Sequence, residues 1–244
     1  MKKQFFWHSL AGTHTGKIRK INQDAYANLP DKRLWAVADG MGGHKSGELA
    51  SQAIIKALKN INTKKSLGVT VKKIYRELSQ VNTSLINLAA KVSSNEVIGS
   101  TVVILTATEH HCVYLWSGDS RIYLFRDNKI KQLSLDHNNE NFLLENGYSE
   151  EDLINNPYAQ SLTHAIGAES QIYLDAQIQE VKPDDIFLLC SDGLNKEVSD
   201  DEIVTMLNNI PFNDVVSNFI ELALERGARD NVTVVLVKAA KEIN

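Results

Sequence analysis

The sequence predicts an α+β fold in which β-sheets pack together and helices lie outside them. Three observations lead to this prediction. Two stretches with the apolar period of a helix come early and are followed by a block of four short β-rich runs. Two more strand patterns, two more helical patterns and a final apolar strand complete the chain. No repeat, low-complexity tract or Pro/Gly-rich linker divides it, so residues 1–244 are expected to form a single domain.

The early elements follow from residue spacing. The run LWAVADG at 34–40 is short, apolar and β-favouring, and its Asp-Gly end predicts a strand that stops there. Between Ser46 and about Asn60 the apolar residues share one stripe, which predicts a helix. The same period predicts a longer helix from Thr70 to Val92.

A block of β-rich runs comes next. Turn residues at Glu109–His111, Gly118–Asp119 and Asp127–Asn128 separate the four runs. Because short turns of this kind join antiparallel neighbours, the block predicts a meander. Residues 136–168 are polar, with two short helical pieces around Gly147, and are expected to leave the sheet.

The last third of the chain alternates strands and helices. Strand patterns lie at 172–181 and 185–193. Ser199 and the glutamate three residues later have the spacing of a capping box, which predicts the start of a helix. Asn213 is expected to cap the next helix, and the run NVTVVLVK at 231–238 to close the chain as a buried strand.

Composition excludes several functional classes. Apolar residues make up 43% of the chain, charged residues 23%, and the net charge is −4. This is an ordinary globular composition with no sign of binding to nucleic acid or acidic membranes. No apolar stretch approaches the ~20 residues that span a bilayer, and no signal peptide is seen, so a cytoplasmic protein is expected. Cys112 and Cys190 lie within apolar runs and are expected in the core.

Carboxylates recur where predicted strands end or turn. Five of them stand out: Asp24, Asp39, Asp119, Asp192 and Asp230. Buried carboxylates that cluster repel each other, and a hard divalent cation such as Mg²⁺ or Mn²⁺ would offset that cost. Gly40 would let the backbone turn so that a carbonyl also faces the ion. Asp-Gly is also a common hairpin turn, so from the residues alone a metal site and ordinary turns remain alternatives.

Seven stretches in a fixed order carry a more specific signal. They are GKIRKINQDAYA (16–27), VADGMGGHKSGELAS (37–51), GSTVVIL (99–105), WSGDSRIYLFRDNKI (116–130), LTHAIGA (162–168), LLCSDGLNKEVSDDEI (188–203) and GARDNVTVVLV (227–237). Together they resemble the metal-dependent protein phosphatase (PPM) family, the type-2C phosphatases, in the bacterial single-domain style. The resemblance runs from Gly12 to Val237.

The resemblance implies a fold and a set of metal ligands. The fold would be a central β-sandwich of two mainly antiparallel sheets flanked by pairs of helices, in α-β-β-α layers. Residues 136–168 would form a flap beside a metal site at one end. Two Mg²⁺ or Mn²⁺ ions would be bridged by Asp39, with the Gly40 carbonyl on one of them. Asp192 and Asp230 would be further ligands, and Asp24 would bind metal directly or through water.

The resemblance also implies a reaction. Arg19 would grip the substrate phosphate, and Asp119 with Asp192 would allow a third, weaker ion. The two core ions would activate a bridging water that hydrolyses phosphoserine or phosphothreonine and so reverses the work of a Ser/Thr kinase. Phosphorylated proteins, including such a kinase or its targets, would be the partners of a monomeric enzyme that binds neither nucleic acid nor membrane.

An alternative function is a catalytically inactive pseudophosphatase that binds phosphoproteins. Such a module would be expected to lack Arg19 or one of the ligands Asp39, Asp192 and Asp230, and all four are present.

Positions 23, 41 and 164 depart from patterns common in the family. Gln23 stands where many animal members carry a ligating glutamate. Met41 replaces the histidine proposed there as the general acid, and His44, three positions on, matches the bacterial form without an assigned role. His164 stands where the flap usually has arginine, which is expected to alter substrate contact or flap packing.

Overall fold

The protein is described by a computed structural model that covers residues 5–43, 45–63, 66–92, 97–154 and 156–241. Its strands are β1 (Phe5–His14), β2 (Asp24–Leu29), β3 (Leu34–Met41), β4 (Gly99–Ser100), β5 (Val102–Ala107), β6 (His111–Ser117), β7 (Arg121–Arg126), β8 (Lys129–Gln132), β9 (Asp175–Glu180), β10 (Ile186–Cys190) and β11 (Val232–Lys241). Its α-helices are α1 (Ser46–Lys59), α2 (Leu67–Val92), α3 (Glu140–Glu145), α4 (Glu150–Ile154), α5 (Asp192–Asn195), α6 (Asp200–Asn209) and α7 (Phe212–Glu225). A short 3₁₀ turn lies at Pro30–Lys32.

The strands form two antiparallel sheets. The first has the order β1-β11-β10-β7-β8, and the second has the order β2-β3-β5-β6-β9, with β4 paired to the end of β3. Every pairing between neighbours is antiparallel. Helices α1 and α2 contact the second sheet, and α7 contacts the first. The predicted α+β sandwich with helices on both outer faces is confirmed.

Among the described residues, three apolar layers hold the two sheets and the outer helices together. In β3, Leu34 and Ala36 face helices α1 and α2, whereas Trp35 and Val37 point into the space between the sheets. This follows from the two-residue alternation of side chains along a strand. Both faces are covered, which explains why the run from 34 to 38 is continuously apolar and fully buried. A third layer, around Phe219, lies between the first sheet and helices α6 and α7.

The strand block is not the single meander that the turn pattern predicts. Strands β5 and β6 pair, and β7 and β8 pair, but β7 leaves β6 and joins β10 in the other sheet. The turn at Gly118–Asp119 is therefore a crossing between sheets rather than a hairpin. Burial on both faces makes β6 and β7 alike in sequence pattern, so the choice of sheet is not visible in either run.

Helix starts were predicted with mixed success. The capping box at Ser199 is confirmed, since the backbone N–H of Ser199 donates to Glu202 Oε2 at 3.0 Å. The cap at Asn213 is wrong: α7 begins at Phe212, and Pro211 precedes it with φ −53°. Proline already holds the backbone angle that helix entry needs, so the start lies upstream of the asparagine.

Residues 136–168 leave the sheet as expected, and α3 and α4 lie on either side of Gly147. Cys112 and Cys190 are buried, and burial raises the pKa of each thiol to about 12. Among the described residues, no helix combines the length and the apolar character that crossing a bilayer requires.

Candidate active site

Two of the predicted site aspartates lie opposite each other on neighbouring strands. Asp24, at the start of β2, is the register partner of Asp39 in β3. Asp39 continues the alternation of Trp35 and Val37, so its side chain belongs to the face between the sheets. Its backbone N–H donates to Thr101 Oγ1 at 3.1 Å, and that hydroxyl lies 2.7 Å from Ser120 Oγ.

Asp24 joins the two sheets. Its Oδ2 accepts hydrogen bonds from the hydroxyls of Ser191 and Thr233, both at 2.7 Å. These residues belong to the β10–β11 side of the sandwich, so Asp24 fastens the end of β2 to the opposite sheet. Burial raises the pKa of Asp24 to about 6, although the two hydroxyl bonds act in the other direction.

Six of the seven predicted site residues meet in one pocket of about 310 Å³. The predicted residues that line it are Arg19, Asp39, Gly40, Asp119, Asp192 and Asp230. They come from the loop after β1, the end of β3, the β6–β7 crossing, the start of α5 and the loop before β11. Asp24 does not line the pocket and stands next to it, beside Asp39.

Close backbone contacts explain the glycines at this end of the molecule. A Cβ on Gly40 would lie 2.0 Å from the Gly47 carbonyl oxygen and 2.7 Å from that of Gln23. A Cβ on Gly193 would lie 2.0 Å from the Asn231 carbonyl oxygen. Only glycine allows these backbones to approach so closely, so the first turn of α1 packs directly against the end of β3.

The carboxylates raise each other's pKa values. Burial, followed by the charges of Asp24, Asp192, Asp119 and Asp230, raises the pKa of Asp39 well above its ordinary value. Burial and the charge of Asp192 raise the pKa of Asp119 to about 7. The protein therefore holds negative charges together at a cost, which is typical of functional sites rather than of packing.

The donor set fits hard divalent cations. Asp24 Oδ1 and Asp192 Oδ1 are buried without a hydrogen-bond partner among the described residues. An unpaired buried carboxylate oxygen is costly, and a cation would satisfy it. Within the described residues, no group of three or more Asp, Glu, His or Cys side chains already has the arrangement needed to hold a metal ion.

Two basic side chains form ion pairs with the aspartates of the pocket. Arg19 Nη2 lies 2.7 Å from Asp230 Oδ2, and Lys196 Nζ forms an ion pair with Asp192 Oδ2. These cations hold carboxylate oxygens that the family resemblance assigned to metal. Binding of ions would therefore require the Arg19–Asp230 pair to yield or share its oxygen. Asp192, by contrast, keeps Oδ1 for an ion while Lys196 holds Oδ2.

Sequence reasoning missed four polar residues of the pocket, namely Thr101, Gln160, Lys196 and Asn231. Asn231 orders the loop that carries Arg19. Its Oδ1 accepts from the Gln23 N–H at 2.8 Å, and its Nδ2 donates to the carbonyls of Thr15 at 2.8 Å and Ile21 at 3.1 Å. The position of Asn231 directly after Asp230 was the available signal for it, and the i, i+4 spacing from Asp192 was the signal for Lys196.

The predicted departures have different outcomes. Met41 lines the pocket, and none of the described residues lining it is a histidine. His44 lies outside the described residues. His164 stacks on Tyr173, with 4.0 Å between ring centroids, and meets His137 edge-on at 5.3 Å. It therefore contributes to the packing at the base of the flap.

A wider groove of about 840 Å³ continues from the pocket. The two share Arg19, Gln160, Lys196 and Asp230. The flap side of the groove offers Leu144, Leu153, Pro157 and the polar Glu140 and Asn156, and the opposite side offers Glu197 and Arg229. Its lining mixes charged, polar and apolar side chains, whereas pockets for small apolar molecules are lined mainly by hydrophobic ones.

Known proteins resemble this chain both in sequence and in architecture. The sequence model of the family described as "Protein phosphatase 2C" matches residues 11–237. The chain is 31% identical over 240 residues to the serine/threonine phosphatase stp of Listeria welshimeri, covering 95% of each chain. Two solved structures are similar as well. One is PppA of Pseudomonas aeruginosa, a key regulatory component of T6SS, with TM-score 0.89 and 36% identity over 99% of this chain and 100% of that one. The other is the catalytic domain of the serine/threonine protein phosphatase PstP in complex with two manganese ions, with TM-score 0.85 and 29% identity over 97% and 99%.

Proposed function

This chain belongs to the protein phosphatase 2C family and is a metal-dependent serine/threonine phosphatase, and we propose that its carboxylate pocket is the catalytic centre. One observation carries the proposal: carboxylates from separate elements line one pocket, and Asp192 Oδ1 there and Asp24 Oδ1 beside it are buried with no partner in the described part of the chain. The comparisons lend no support to the alternative of an inactive phosphoprotein-binding module.

The proposed ligands are the side chains of Asp39, Asp192 and Asp230 with the carbonyl of Gly40. Asp24 would act directly or through water. Two divalent ions, Mg²⁺ or Mn²⁺, would neutralise this cluster, as the two manganese ions in the PstP structure suggest. Bound there, such ions supply Lewis acidity and a water-derived nucleophile at neutral pH.

Arg19 is the proposed phosphate-binding residue. Its guanidinium reaches the pocket rim, where 54% of its side-chain surface is exposed, and its partner Asp230 is a proposed ligand. An ion drawing on the Asp230 oxygens would leave the fork of Arg19 available to a phosphate dianion. A planar guanidinium binds two phosphate oxygens at once, which orients the phosphorus toward the carboxylate floor.

The proposed substrates are phosphorylated serine and threonine residues of proteins. The groove that continues from the pocket gives room for the residues that flank the phosphate. The enzyme would act as a monomer in the cytoplasm and oppose a Ser/Thr kinase by acting on that kinase or on its targets. Residues 1–244 would form one phosphatase domain, with 136–168 as the flap beside the groove.

The direct test is hydrolysis of p-nitrophenyl phosphate and of a phosphothreonine peptide, each with Mn²⁺ and with excess EDTA. We expect turnover of both substrates in Mn²⁺ and none in EDTA, with recovery when Mn²⁺ is restored. A folded protein that hydrolyses neither substrate in Mn²⁺ but still binds the phosphopeptide would favour the binding module instead.

A further inference from the structure

Lys196 is held beside the proposed metal site by its own backbone. It follows α5 directly, and its N–H donates to the Asp192 carbonyl at 3.0 Å. This bond places the lysine one helical turn after Asp192, where its Nζ reaches Asp192 Oδ2. The pair is partly shielded, with 44% of the lysine side chain and 13% of the aspartate side chain exposed.

The lysine acts on more than one carboxylate. Burial would lower the pKa of Lys196, but the charges of Asp192, Asp119 and Asp230 raise it above its ordinary value overall. Among the main influences on Asp119, burial and the charge of Asp192 raise the pKa and Lys196 lowers it. Lys196, Asp119 and Asp192 also line a neighbouring cavity of about 180 Å³ together.

The other cation that lines this cavity among the described residues, Arg121, forms hydrogen bonds with a different carboxylate. Arg121 lines it too, but its guanidinium is engaged by Asp136, with Nε and Nη2 donating to Asp136 Oδ2 at 2.9 Å and 2.8 Å. Of the two cations that line this cavity among the described residues, Lys196 is therefore the one whose ammonium pairs with Asp192.

We propose that Lys196 takes the place of a third divalent ion between Asp119 and Asp192, so that this chain binds two ions and carries the third cation in its sequence. The inference rests on the proposed two-ion centre. Charge balance supports it: two divalent ions supply four positive charges against five aspartates, and Lys196 supplies the fifth. Arg19 is then left for the phosphate.

A lysine ammonium and a divalent ion would have different chemical effects beside Asp119 and Asp192. An ammonium donates hydrogen bonds and offsets charge, but it cannot act as a Lewis acid or lower the pKa of a bound water as a divalent ion does. It is also present at any metal concentration. Occupancy at Asp119 would then be independent of the metal supply, and Lys196 is a positioning residue for the carboxylates rather than a catalytic one.

The test counts bound ions rather than turnover. Wild type, Lys196→Met and Lys196→Gln are titrated with MnCl₂ by isothermal calorimetry, and free Mn²⁺ is measured by electron paramagnetic resonance. Lys238→Met is the matched control, because Lys238, which lies on β11, is also close to an aspartate. Its Nζ is 3.9 Å from Asp184 Oδ1. Circular dichroism checks the fold of each variant.

We expect both Lys196 variants to bind one more Mn²⁺ per chain than wild type, and the Lys238 control to match wild type. The additional ion should disappear again in the double variant Lys196→Met/Asp119→Asn. A wild type that binds Mn²⁺, with Lys196 variants that bind no more, would overturn the inference. A folded wild type that binds no Mn²⁺ would instead contradict the proposed function.

Discussion

Two regions of this molecule bury aspartates, and they treat them in opposite ways. Near the far end of the first sheet, Asp185 is 1% exposed and accepts two bonds at 2.7 Å from Arg126 and one at 2.7 Å from the Lys182 N–H. In and beside the pocket, by contrast, burial and then the charges of four other carboxylates raise the pKa of Asp39, and one oxygen of Asp192 has no partner in the described residues.

The contrast separates structural from functional carboxylates. A buried acid with an arginine fork and a backbone donor is satisfied by the fold itself, and removing its partner would cost stability. Acids that are buried against each other weaken the fold, and an ion from outside would relieve them. The four predictions below test this division.

The largest expected effect is on turnover in Asp39→Asn. Loss of this carboxylate should lower kcat with Mn²⁺ by about 1,000-fold, the scale of removing one well-placed electrostatic group. Unfolding in urea with EDTA should show a free energy equal to or above that of wild type, because a repelling charge is gone. Asp31→Asn, in the exposed turn at Pro30–Lys32, is the control with normal turnover. Near-normal turnover of Asp39→Asn at saturating Mn²⁺ would remove Asp39 from the site.

The reverse behaviour is expected for Arg126→Met. Asp185 would stay buried without its partner, which should lower the free energy of unfolding by about 2 to 3 kcal/mol, since part of the arginine is exposed. Turnover per folded molecule should not change. Arg76→Met removes an exposed pair with Glu77 and should cost under about 0.5 kcal/mol. Equal losses in the two variants, measured by urea unfolding, would contradict the structural role of Asp185.

A third prediction concerns the only arginine among the predicted site residues. Arg19→Lys keeps the charge near Asp230 but loses the planar fork, so KM for a phosphothreonine peptide should rise about 10- to 100-fold with a smaller change in kcat. Arg229→Lys, in the groove beyond the pocket, should change KM less. An unchanged KM in Arg19→Lys would show that phosphate binds elsewhere.

The smallest effect is a pH dependence of stability without metal. Folding raises the pKa of Asp24 to about 6 and that of Asp119 to about 7, above the ordinary value near 3.8. Between these values the folded chain binds more protons than the unfolded chain, so the free energy of unfolding falls as pH rises from about 4 to about 7. We expect a loss of about 1 kcal/mol or more from these groups in EDTA.

Urea unfolding across that pH range measures this loss, and Asp24→Asn should flatten the slope. A stability that rises steadily with pH in EDTA, with no effect of Asp24→Asn, would mean that the acids are not strained in the folded chain.

Most secondary structure was predictable because it depends on local spacing. The helices from Ser46 and up to Val92, and the strand ending at the Asp39-Gly40 step, lie close to where their apolar periods placed them. The crossing of β7 to the other sheet was not predictable, because that choice is made by which partner completes the core. Long-range bonds, such as those from Asn231 to the loop at 15–23, leave no periodic signal.

The amino-acid sequence was thus enough to determine the fold class, the apolar faces of the helices and the family to which the aspartate motifs belong. Only the folded arrangement decided that Asp24 stands beside the pocket, that Lys196 pairs with Asp192, and that His164 packs on Tyr173. The reason is physical. Periodicity reports which face of an element is buried, whereas charge partners are set by distances between elements that are remote in the chain.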